Sequence, residues 1–80
     1  MHARVFITPK KGVLDPQGKA IEHSLHALGF PQVREVRLGK YVEVALEGLD
    51  HAQARQRVDE MCRKLLANSV IEDYRFELEE

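Results

Sequence analysis

Eighty residues with a formal net charge of -1, one cysteine and 44% hydrophobic residues describe a single small domain, 1–80, whose core is marginal. A chain this short buries only about 60–65% of its unfolded surface, so burial against a second chain would add stability. There is no basic surplus of the kind a nucleic-acid binder carries, one cysteine excludes an intramolecular disulfide, and no apolar run approaches the roughly 20 residues of a membrane span.

No signal peptide is evident, and a lone cysteine fits a reducing compartment. The expectation is a cytoplasmic chain with neither nucleic acid nor membrane as a partner.

Ala3 to Thr8 reads as a strand, with Val5 and Ile7 on one face and Phe6 on the other. Pro9, lacking the donor a ladder needs, ends it. Lys10 to Leu14 form a loop. Two lysines beside a helix N-terminus could receive an anion. However, Asp15 at the cap position already supplies negative charge there, and a solvated basic loop is the simpler reading. Asp15 and Pro16 open the first helix, as cap and first helical residue. Gly18 inside that turn costs about 1 kcal/mol against alanine, which suggests close approach by another backbone or side chain. Ile21, Leu25 and Leu28 make an apolar stripe, and Gly29 followed by Phe30-Pro31 stops the helix. His23 and His26 have a spacing that can bind metal. They point away from the stripe and have no third ligand beside them, so two solvated histidines are expected.

The stretch from Val33 to Glu47 is long and alternating. Val36, Leu38, Val42, Val44 and Leu46 share one parity, and Glu35, Arg37, Glu43 and Glu47 the other. Gly39 interrupts it. Two geometries keep the parity. One is a single long central strand, 33–47, kinked or bulged at Gly39. The other is a hairpin with the loop Leu38-Gly39-Lys40. A continuous strand would span roughly 45–50 Å, too long for one small domain to pair throughout, and part would remain an open edge.

Asp50 and Gln53 form a capping-box pattern for a second helix. Its apolar face is Ala54, Val58, Met61, Cys62 and Leu65, and Asp59–Arg63 and Glu60–Lys64 are i, i+4 ion pairs. Cys62 lies within the stripe and is expected to be buried and inert. Asn68 can cap the helix end in the left-handed conformation. Tyr74, Phe76 and Leu78 then alternate with Arg75, Glu77 and Glu79 as a last strand. The fold class is therefore α+β: an antiparallel sheet with two helices on one face, β-α-β(β)-α-β, ferredoxin-like if the centre is a hairpin. No phosphate loop, nucleophile elbow or metal motif is present. Phe6, Tyr41, Tyr74 and Phe76 are too dispersed for a stacking platform. The residues favour an interaction module over an enzyme.

Five blocks carry a resemblance: Gly12-Val13-Leu14-Asp15-Pro16-Gln17-Gly18, Leu28-Gly29-Phe30, Val36-Arg37-Leu38-Gly39-Lys40-Tyr41, Met61 to Asn68, and Ile71-Glu72-Asp73-Tyr74. Together they resemble the PurS-type small subunit of phosphoribosylformylglycinamidine synthase over essentially the whole chain. The resemblance implies a PurS-like fold and a subunit without catalytic, cofactor or metal residues of its own. It would dimerise, bridge a glutaminase subunit and a large synthetase subunit, and assist ammonia transfer in de novo purine synthesis. ATP and magnesium would be used by the large subunit. It also implies candidate contact surfaces at Asp15, Pro16, Gln17 and Gly18 and at Arg37, Gly39 and Lys40, with strand edges joining two small subunits. Two other classes compete. A free-standing acylphosphatase-type enzyme would want an arginine where Lys10-Lys11 stand. A regulatory module would bind a small ligand between dimerised sheets.

Overall fold

The computed structural model describes residues 1–80. In chain order the elements are β1 (His2–Pro9), α1 (Pro16–Ala27), β2 (Lys40–Ala45), α2 (His51–Met61) and β3 (Glu72–Glu79), with a five-residue π-helix, Cys62–Leu66, continuing α2. β1 is the centre of a three-stranded sheet of order β2-β1-β3. Both of its neighbours run antiparallel, with Val5 opposite Val42 on one side and Phe76 on the other. The alternation of β1 thus sets both registers: Ala3, Val5 and Ile7 face one way beside Val42, Val44, Tyr74, Phe76 and Leu78.

α2 covers that face. Val58, Cys62 and Ala67 join Ala3, Val5 and Ile7 in the buried core, and burial pushes the Cys62 thiol above its ordinary pKa. The Asp50–Gln53 capping box forms at the start of α2. At its end, the Ala67 amide donates to the Cys62 carbonyl at 3.0 Å, five residues back. This wider turn delays the helical phase by about one residue. Leu66 therefore packs against the core, while Leu65, expected on the apolar face, is 83% exposed. Asn68 is not left-handed, since only glycines have positive φ. Its side chain accepts from the Val70 amide at 3.1 Å and its own amide donates to Glu72 Oε1 at 2.8 Å, organising the turn into β3.

The stretch 33–47 is central in the chain but lies at the sheet edge. No fourth strand exists, so the hairpin is excluded, and the ladder begins only at Lys40, opposite Ile7. The reason lies at Gly39. A Cβ there would sit 2.3 Å from the Ile7 carbonyl oxygen, so the chain passes the end of β1 in contact with its backbone. Residues 33–39 have no ladder partner. α1, expected beside α2, contributes nothing to the core. It ends as anticipated: Gly29, at φ 99°, donates to His26 and Phe30 donates to Leu25.

On the other sheet face, the Phe6 and Tyr41 rings pack at a tilt of 34° with centres 5.3 Å apart, and the Arg75 guanidinium lies 4.1 Å from the Phe6 ring centre. Arg4 meets Glu77 and Glu79 at 3.5 and 3.1 Å. Tyr74 and Phe76 belong to the opposite face, so the four aromatics do not form one platform.

Ile7→Ala should destabilise the fold by about 2–5 kcal/mol and Ile7→Val by about 1 kcal/mol. Urea unfolding at fixed protein concentration checks both values, since association adds to apparent stability.

Candidate functional site

The loop after β1, the start of α1 and the unladdered stretch before β2 converge. Gly12, at φ 87°, turns the loop, and the Val13 amide donates to the Lys10 carbonyl at 3.1 Å. Asp15 then caps α1, with Pro16 at the first helical position. Its carboxylate does more than cap. Oδ1 accepts from the Gly18 amide and Oδ2 from the Leu38 amide, each at 2.9 Å. The Leu38 amide is the chief cause of a depressed Asp15 pKa; the Gly18 amide adds to it and Arg37 contributes less.

Gly18 answers the question its sequence position raises. A Cβ would lie 2.3 Å from the Val36 carbonyl oxygen, so only glycine lets the first turn of α1 lie against this stretch. At the other end of the helix, His26 Nε2 lies 2.7 Å from the Val33 carbonyl oxygen and donates to it in the appropriate tautomer. His26 is thus a tether rather than a free surface group. α1 and residues 33–38 form one arm, tied at both ends.

The two candidate blocks therefore meet. Asp15, Gly18 and Arg37 lie together, while Pro16 and Gln17 are exposed on the adjoining turn. Gly39 lies against β1, and Lys40 reaches Glu72 of β3 at 3.4 Å. Between loop and arm is an open cleft of about 330 Å³ whose lining includes Lys11, Leu14, Glu22, Arg34 and Arg37. Glu22 is buried, 3.7 Å from Lys19 Nζ. Sequence reasoning singled out neither Arg34 nor Glu22 for this surface. The signal for Glu22 was its position four residues after Gly18, which puts both on one helix face. Nothing in the pattern marked Arg34. Eight of its twelve lining residues are charged, so the cleft is ionic in character.

Three comparisons bear on this arrangement. The family model described as phosphoribosylformylglycinamidine (FGAM) synthase, PurS, matches residues 2–80. The PurS subunit of phosphoribosylformylglycinamidine synthase from Bacillus subtilis is 51% identical over 77 residues, 96% of this chain and 90% of that protein. A solved structure of B. subtilis PurS superimposes with a TM-score of 0.87 at 49% identity, covering 99% of this chain and 98% of that one. A chain from the structure of PurLQS of Thermotoga maritima gives a TM-score of 0.83 at 28% identity, covering 95% and 94%.

Asp15→Ala should leave the Gly18 and Leu38 amides without acceptors, and their hydrogen-exchange protection should fall while that of β1 is kept. The sign with pH follows from the depressed pKa: the tether is fully present above the ordinary aspartate value of 3.8 and is lost only as pH falls through the lower folded value. An NMR titration of the Asp15 carboxyl and the Leu38 amide should give coincident midpoints below 3.8.

Proposed function

The chain belongs to the PurS family of phosphoribosylformylglycinamidine synthase, and from that premise we propose that it is the enzyme's non-catalytic joint. As a small subunit of this synthase it serves purine biosynthesis and associates with the other subunits. In this reading it bridges the glutaminase and the large synthetase subunit and helps ammonia pass between them, in the cytoplasm. ATP and magnesium chemistry stays with the large subunit.

One observation supports the reading above the rest: the isolated chain has too much surface. Its accessible area is 6060 Å², whereas a folded monomer of its 9.2 kDa exposes about 4,900 Å². The excess, about 1,100 Å², is comparable to one side of a standard interface, about 800 Å². The radius of gyration agrees. It is 16.0 Å, with extents of 49 × 26 × 14 Å, against about 12 Å for a compact domain of this length. Only 9 of 80 residues are buried, so much apolar surface is left for association.

The reading divides that surface between two uses. The outer edges of β2 and β3 offer backbone donors and acceptors, and they join this chain to a second copy. The arm, with Asp15, Pro16, Gln17, Gly18 and Arg37, and the neighbouring Gly39 and Lys40, meets the larger subunits. Such polar loop residues contribute little to the core.

The test is reconstitution. With the other two subunits present, glutamine-dependent turnover should require this chain, while turnover driven by added ammonia should depend on it far less. Full glutamine-dependent activity without it, or turnover of a substrate by this chain alone, contradicts the proposal. Arg37→Glu with Lys40→Glu should weaken assembly and leave the small dimer folded, read by sedimentation velocity.

A further inference from the structure

The ionic lining of the cleft beside the arm does not cancel. Of the twelve Lys and Arg side chains, only Lys11, Arg34 and Arg55 lie farther than 4.0 Å from every carboxylate, and Arg55 sits over the Phe76 ring at 5.8 Å. The remaining two both line this cleft. Every other charge there has a partner. Lys10 pairs with Asp73 at 3.0 Å, Lys19 with Glu22 and Arg37 with Glu35 at 3.7 Å each, and Asp15 holds two backbone amides. After internal pairing, the cleft holds two free cations.

Its rim is apolar. Leu14, which lines the cleft, is 80% exposed, and Leu38, on the amide bonded to Asp15, is 43% exposed. A free phosphate would use the cations and leave these leucines in water. A protein surface would use both, since interfaces combine desolvated apolar anchors with complementary charge.

We propose that this cleft receives a carboxylate-bearing segment, two neighbouring Asp or Glu side chains on an exposed loop or helix end, of one of the larger subunits, with Lys11 and Arg34 as its counter-charges. The inference rests on the joint reading above and names the chemistry by which that surface recognises its partner. Arg34 suits a bidentate carboxylate contact, and Lys11 supplies a second, mobile charge. Neither has a role in holding this chain together, so both can be altered without unfolding it.

The experiment uses the reconstituted complex. Lys11→Glu with Arg34→Glu should weaken association with the larger subunits by roughly tenfold or more, and Lys11→Gln with Arg34→Gln should weaken it less. Raising salt from about 50 mM to about 500 mM should weaken the unaltered chain's binding and affect the glutamine pair's much less. Circular dichroism and sedimentation velocity should find the fold and oligomeric state of both variants unchanged. Association of the Glu variant within about twofold of the unaltered chain overturns this inference alone. Stoichiometric binding of inorganic phosphate at about millimolar concentration, abolished by the same substitutions while assembly is untouched, also overturns it, because the cleft is then a small-anion site. If the unaltered chain does not associate with the larger subunits, the joint reading falls and this inference with it.

Discussion

One carboxylate decides how half of this chain is arranged. Asp15 accepts from the amide three residues ahead and from the Leu38 amide, 23 residues ahead. The first bond is an ordinary helix cap. The second ties α1 to the stretch before β2, and neither contributes a residue to the buried core. Gly18 makes it geometrically possible by letting the first turn of the helix touch the Val36 carbonyl. His26 repeats the device at the far end, on the Val33 carbonyl. Polar bonds at both ends tie together an arm that lies outside the buried core.

The rest of the molecule is built in the conventional way and is small. β1 sits between two antiparallel neighbours, one face covered by α2 and the other carrying ion pairs and a tilted aromatic pair. That division accounts for the dimensions: a compact core carries an arm that lengthens the chain without thickening it. Leu14, Leu28 and Leu65 are each more than 70% exposed, a pattern expected of a subunit and unfavourable in a solitary monomer.

Much of this was legible in the sequence. Alternation gave the faces of β1, β2 and β3 correctly, because side-chain parity is a local property. Capping residues gave both helix starts, and the energetic penalty of Gly18 foretold a close approach. Pairing partners were not legible. Parity says which face a residue takes and not which strand lies beside it, so 33–47 looked central and proved to be an edge preceded by an unladdered stretch. The apolar stripe of α1 gave a helix but not its place, and Leu28 in that stripe is largely exposed. Leu65 and Asn68 were misplaced because one widened turn shifts helical phase and end geometry, and local pattern carries no sign of it. For the site, both blocks were visible separately. Their meeting depends on a 23-residue hydrogen bond, and Arg34 joins them only through that fold.

The central claim is that the arm and its cleft are the surface this chain gives to its larger partners. Hydrogen–deuterium exchange on the isolated chain and on the assembled complex tests it most directly. Amides of residues 10–19 and 33–39 should exchange more slowly in the complex, while those of β1, already laddered on both sides, should change little. Slowing confined to α2 and β3, with the arm as fast as in the isolated chain, would contradict the account.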